Sequence, residues 1–177
     1  MSLNDGYTGW VHKFYGKKKN IKKVYPFKII YPFANDLFRH DYPFGSYIDK
    51  RINGAVDINS NPSVNDLDKV LKNLLHIPYK WGGKSSLGFD CSGLVQSVLN
   101  SVGLGVPRDS HDQFKFFKDT RIDMHEAQYG DLHFFGVDEK VNHVAFSTGG
   151  MDIIHSQGNV KRETLAAGNK KFNKKLL

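Results

Sequence analysis

The chain holds a single cysteine, Cys91, among its 177 residues. One cysteine excludes an intrachain disulfide framework and any zinc knuckle built on paired cysteines. No run reaches the roughly 18 apolar residues that a membrane-spanning helix needs, so no transmembrane segment is expected. The opening Met1-Ser2-Leu3-Asn4-Asp5-Gly6 lacks the apolar stretch of a secretory signal. That start suits a cytosolic protein, or one whose leader has been removed. Acidic residues are in deficit, 18 against 25 Lys and Arg, for a formal charge of +7. The excess is crowded into Lys17–Lys19, Lys22-Lys23, Lys170-Lys171 and Lys174-Lys175. Such a surface attracts polyanions without naming one, and its plainest reading is solvated lysines on loops and a tail. Aromatic and basic residues do not interleave on one face, which ranks a nucleic-acid partner last.

What is present falls into three regions. Residues 1–60 are rich in Tyr, Phe and Gly, as in Gly6–His12 and Val24–Tyr31, and predict small strands and loops. A helix is expected next, capped by Ser63 or Asn65 and stopped near His76 by Pro78. Its Val64, Leu67, Val70, Leu71, Leu74 and Leu75 recur at three and four. Cys91 opens a second helix, with Leu94, Val95, Val98, Leu99 and Val102 on one stripe and Gly103 as its end. A third runs from about Asp109 to Phe117, capped by Asp109 or Ser110. Strands come next at 131–135, 143–147 and 152–155, separated by glycines. Helices first and consecutive antiparallel strands later is an α+β order. The organisation expected is a β-rich segment over 1–60 and a larger unit over 61–177.

Chemistry concentrates at Tyr79–Val95, where a Gly-rich loop runs straight into Cys91 at a helix N-terminus. Unpaired N–H groups and the positive end of the helix dipole favour a thiolate there. The same N–H groups suit the oxyanion of a tetrahedral intermediate, and the glycines leave room for a substrate backbone. A nucleophile needs a base, and the base an orienting group. His143 begins one strand and His155 ends the next across the Gly149-Gly150 turn, so a hairpin makes them neighbours, both able to face a helix packed on the sheet. Cys91, His143 and His155 thus form a candidate nucleophile–base–orienter set. Other readings stay open. A lone cysteine is often a buried hydrophobe, either histidine suits a structural place on a strand, and Cys–His–His also suits zinc. Trp81 reads as a packing aromatic, and His111, His125 and His133 as structural or surface residues.

Six blocks then resemble a known family. Tyr79-x-Trp81-Gly82-Gly83, Phe89-Asp90-Cys91-Ser92-Gly93-Leu94-Val95 and Pro107-Arg108-Asp109-Ser110-x-x-Gln113 come first. Gly130-Asp131-Leu132-x-Phe134-Phe135, His143-Val144 and Ile154-His155 come after them in order. Together they are similar to the NlpC-type cell-wall peptidases over roughly residues 64–165. The resemblance implies a papain-like fold with the cysteine helix packed on an antiparallel sheet. It also implies hydrolysis of peptidoglycan stem peptides between γ-D-glutamate and a diamino acid, meso-diaminopimelate or lysine. Under it Cys91 is the nucleophile, His143 the base, His155 the orienter and Tyr79 part of the oxyanion site. Asp90 and Ser92 match substrate-recognition positions, and Asp109 and Ser110 match those that bind a free L-alanine amine. Asp109, Ser110 and Asp90 also read as helix caps or first-turn acids.

Asp5–His12 resembles the closing half of a bacterial Src-homology-type barrel, with too little before it for a whole one. No metal or organic cofactor is called for. The expected partner is peptidoglycan or a muropeptide, with the basic runs drawn to anionic wall polymer. The expected place is the bacterial cell envelope, periplasmic or secreted, with cytoplasmic muropeptide recycling as the alternative. The rival activities are an N-acetylmuramoyl-L-alanine amidase or acyltransferase on the same fold, and an inactive wall-binding module.

Overall fold

The front third resolves into two small sheets. The computed structural model describes residues 7–15, 25–35, 41–60, 66–137 and 140–176. Strands β1 (Phe27–Ile29), β2 (Phe33–Asn35), β3 (Asp41–Pro43), β4 (Tyr47–Ile48) and β5 (Ala55–Asp57) form an antiparallel β4-β1-β5 sheet and a β2-β3 hairpin. Ile29, Ala34 and Ile48 give them a small core of their own. Tyr7–His12 holds one bridge, at Thr8, and no strand, and Trp10 is fully exposed. Asp5, Gly6 and Val24, also expected near strands, lie outside the described residues.

Phe44 and Lys28 help tie this segment to the rest of the chain. Phe44 is buried in the main core and meets Phe89 edge-to-face, ring centroids 6.0 Å apart. Its amide donates to Ser86 Oγ at 2.9 Å. Burial of one such ring is worth about 1.5–3 kcal/mol. Lys28, also buried, donates to Asn100 Oδ1, which accepts from Tyr47 Oη as well at 3.2 Å.

Helix α1 (Asp66–Asn73) buries Leu67, Val70 and Leu71. The proposed caps Ser63 and Asn65 lie outside the described residues. The helix stops earlier than expected. Leu74 and Leu75 donate to carbonyls three residues back, and His76 adopts φ 72°, turning the chain before Pro78. A hairpin of β6 (Lys84–Ser85) and β7 (Gly88–Phe89) then leads into α2 (Cys91–Ser101). Every residue of α2 except Asn100 is buried, so the apolar stripe is one side of a helix enclosed all round. Gly103, at φ 85°, lies just past its last turn. Helix α3 spans Ser110–Phe116.

Four antiparallel strands complete the fold: β8 (Leu132–Val137), β9 (Lys140–Gly149), β10 (Asp152–Gln157) and β11 (Asn159–Thr164), in the order β11-β10-β9-β8. Val144, Phe146, Ile154 and Val160 share the main core with Leu94, Val95, Val98 and Leu99 of α2. Ala145 and Ile153 pack instead with Leu165 in a second cluster. Alternation along the strands puts these two sets on opposite faces. The α+β order is as the sequence reads. No helix among the described residues is long and apolar enough to cross a membrane.

Candidate active site

Cys91 is the first residue of α2, and Asp90 caps that helix from an extended backbone. The Asp90 carboxylate accepts from the amides of Gly93 at 2.6 Å and Gly82 at 2.9 Å. The cap therefore also pins the Gly-rich loop against the helix. A Cβ on Gly93 would run into the Gly83 carbonyl oxygen, and one on Gly83 into that of Gly88. These two glycines thus serve the packing of loop on helix, where the sequence suggested space for substrate. Ser156 Oγ donates to the Phe89 carbonyl at 2.7 Å, fastening the approach to Cys91 onto β10.

Cys91 is nearly enclosed, the residue 9% exposed. Burial pushes it above the ordinary thiol value, against hydrogen bonding from the backbone of Val144, Ser92 and Cys91 itself. Desolvation therefore opposes the thiolate that the N–H groups at the helix start favour.

His143 Nε2 and His155 Nδ1 are hydrogen-bonded at 2.8 Å, with the rings edge-to-face and centroids 5.1 Å apart. The hairpin brings the two together as expected. Their face is not the expected one. In step with Ala145 and Ile153, both fall on the side of the sheet away from α2, and His143 lies against Phe135, centroids 5.8 Å apart. The Cys91 thiol itself lies by the backbone of Val144, the residue after His143. Burial, then the neighbouring His155, lowers the His143 pKa to about 4, and burial lowers that of His155 too. Both rings are neutral near pH 7. Because Nε2 and Nδ1 point at one another, the pair cannot turn both of those nitrogens to a metal. Among the described residues no group of three His, Cys, Asp or Glu is arranged to hold one.

Tyr79 is half-buried, held by its amide on the Gly158 carbonyl at 2.8 Å. Burial, then the nearby Cys91 and Asp90, raise its pKa, which places the phenol in the thiol's electrostatic neighbourhood. Asp90 and Ser92 are buried and joined by a guanidinium to which the family motif assigned no role. Arg108 donates to Asp90 at 2.5 and 3.0 Å and to Ser92 Oγ at 2.9 Å. Asp109 sits at the N-cap position of α3 but makes no side-chain cap bond. It instead lines a cleft of about 670 Å³ with Tyr7, Thr8, Arg108, Asp112 and others. Ser110 opens α3 and is not part of that lining. Trp81, read as a packing aromatic, is 88% exposed beside the loop. His133 is buried with Nε2 on the Gly150 carbonyl at 3.0 Å, while His111 and His125 are exposed.

Sequence reasoning missed β11 and with it Glu163. His155 Nε2 donates to Glu163 Oε2 at 2.8 Å, extending the row by one residue. The run Lys161-Arg162-Glu163 reads as a solvated charge cluster, which hid a strand. The usable signal was Gly158 between two short runs, the mark of a second hairpin.

A cysteine-headed helix packed on an antiparallel sheet that carries a hydrogen-bonded imidazole pair is the papain-like arrangement. The family model described as "NlpC/P60 family" matches residues 76–177. The chain belongs to the NlpC/P60 family. A gamma-D-glutamyl-L-lysine dipeptidyl-peptidase of Bacillus cereus (strain ATCC 10987 / NRS 248) is 40% identical over 98 residues, 54% of this chain and 29% of that protein. The protein of the same name from Bacillus subtilis (strain 168) is 32% identical over 125 residues, 69% of this chain and 42% of its own. The chain thus spans less than half the length of these two relatives. The crystal structure of an NlpC/P60 family protein from Bacillus cereus ATCC 10987 superposes with a TM-score of 0.64 at 25% identity, covering 80% of this chain and 59% of that one.

Proposed function

We propose that this chain is a thiol hydrolase that cleaves the amide between γ-D-glutamate and a diamino acid, lysine or meso-diaminopimelate, in peptidoglycan stem peptides. The observation that carries the reading is the hydrogen-bonded imidazole pair ending at the strand position where the Cys91 thiol meets the sheet. The two Bacillus relatives are named for a γ-D-glutamyl-L-lysine bond, which supports the choice of bond.

In this reading Cys91 Sγ attacks the γ-glutamyl carbonyl as its proton passes to His143 Nδ1. Nδ1 is the nitrogen left over, since Nε2 is engaged by His155. The amide carbonyl becomes an oxyanion, held by the Tyr79 hydroxyl and by backbone N–H groups at the start of α2. His143 returns the proton to the departing amine, leaving a thioester on Cys91. Water deprotonated by His143 then cleaves that thioester and restores the thiol. His155 orients His143 throughout.

Arg108, fixed by Asp90 and Ser92 next to Cys91, is the cation suited to a free glutamyl carboxylate. Asp109 and Asp112, three residues apart in the adjoining cleft, suit the ammonium of an unblocked L-alanine, with Ser110 beside them. Residues 61–177 would be the catalytic unit, and residues 1–60 an accessory segment whose Tyr7 and Thr8 close the cleft. The site of action would be the cell envelope, where this substrate lies and where a basic chain is drawn to anionic polymer.

Mass analysis of digested sacculi and free stem peptides tests the reading. A new diamino-acid N-terminus is the expected product. A freed muramic lactyl group would mean an amidase instead.

A further inference from the structure

Glu163 is surrounded by donors. Lys161 Nζ lies 2.8 Å from its Oε1, and Asn173 Nδ2 and His155 Nε2 both reach Oε2. The Asn173 amide cannot be reversed at no cost, because its Oδ1 accepts from the Lys175 amide at 3.0 Å and its Nδ2 also serves Gln157 Oε1 at 2.9 Å. A lysine ammonium has no lone pair to offer. Burial opposes ionisation of this carboxyl, yet the bonds from Lys161, Asn173 and His155 together hold it below the usual carboxylate range. Glu163 is thus an anion that only accepts.

That fixes every proton in the row. Facing an acceptor, His155 Nε2 carries a hydrogen, so the neutral His155 ring has a bare Nδ1. Facing that bare nitrogen at 2.8 Å, His143 Nε2 must donate. The neutral His143 ring is then left with its lone pair on Nδ1. We propose that Glu163 is a positioning residue that sets the tautomers of His155 and His143 in series, so that His143 presents Nδ1 as the base to Cys91. The inference deepens the reading of His143 as the base and rests on it. When His143 takes the thiol proton, its Nε2–H stays on His155 and the anion beyond balances the new imidazolium. No proton passes to Glu163.

The geometry of the sheet supplies the contact. Lys161 pairs directly with His155 and Glu163 with Ile153, so the carboxylate reaches the ring along the diagonal, and Lys161 steadies it from two residues back on the same face. Among the described residues, the titratable groups on the face of the rings are Lys161 and Glu163 from β11, the rings themselves and His133 of β8, which lies beyond Phe135 with its Nε2 on the Gly150 carbonyl. From β8 the Phe135 ring lies against His143, and the chain after β11 brings the neutral Asn173.

Alkylation of Cys91 by iodoacetamide, monitored against pH in the full chain, reads proton removal without reference to any substrate. Glu163→Ala should slow it at neutral pH by about tenfold, a fraction of the roughly 10²–10⁴ that a positioned general base contributes. Glu163→Gln keeps an acceptor for His155 while dropping the charge, so it should fall between the two and move the acid limb to lower pH. Nitrogen-15 spectra of the wild-type rings should show both as Nε2–H tautomers. If His143→Ala slows alkylation while Glu163→Ala leaves it at the wild-type rate, Glu163 has no such role. If neither variant slows it, the assignment of His143 as base fails as well. An Nδ1–H tautomer on either ring would overturn the proposal even if Glu163→Ala fails to fold.

Discussion

Arg108 grips Asp90, one residue before Cys91, with both terminal guanidinium nitrogens, at 2.5 and 3.0 Å. Both side chains are only 10% exposed. The same carboxylate caps α2 and holds the Gly82 amide, so one ion pair joins the α2–α3 connection, the Gly-rich loop and the helix that presents the thiol.

Arg108→Ala strands that carboxylate at a buried site. Removal of one partner from a buried pair costs about 3–5 kcal/mol, with the low end expected because two backbone N–H groups remain on Asp90. Chemical denaturation of the variant should show that loss. An unchanged midpoint would mean that the pair contributes nothing to the fold.

Cys91→Ala removes only a sulfur from the main core, so the helix and its cap should survive with a loss of about 1 kcal/mol. Turnover of stem peptides should vanish while binding to sacculi remains. Residual hydrolysis well above background would assign the nucleophile to another group.

The acid limb of kcat/KM should lie near pH 4, well below the roughly 6.5 of a free imidazole. Burial and then His155 depress His143 to about 4, and a protonated His143 cannot accept the thiol proton, so the rate falls as pH drops through that value. A limb at pH 6–7 would place the titrating group in water.

Lys28 is a buried amine whose pKa burial lowers to about 8. The unfolded chain binds its proton up to about 10.5, so between those values unfolding takes up a proton and stability from this group rises with pH. Lys28→Met should therefore match or exceed wild-type stability at pH 7. Its advantage should shrink by up to about 3 kcal/mol between pH 8 and 10.5. A pH-independent difference between the two melting curves would contradict this.

The helices and the later strands were legible because their apolar periods are strong: Leu94, Val95, Val98 and Leu99 on α2, and Val144 and Phe146 on β9. The pairing of His143 with His155 was legible because a glycine turn leaves a hairpin little choice of register. Their face was not. It depends on which alternate residues, Val144 or Ala145, meet α2, and both are apolar. Glu163 was hidden by local charge, since Lys161-Arg162-Glu163 looks solvated until His155 and Asn173 arrive from elsewhere in the chain. The burial of Cys91 was hidden for a like reason: a helix N-terminus is visible in sequence, but the desolvation that opposes it is not. Trp81 had the opposite fate, an aromatic with no wall to pack on.

The most direct test is to quench the protein in acid during incubation with L-Ala-γ-D-Glu-L-Lys and map the acyl group by peptide mass. The expected result is an L-Ala-γ-D-Glu thioester on the peptide that contains Cys91, with free lysine released. Lysine release with no acyl group on Cys91, or an acyl group carried elsewhere, would contradict it.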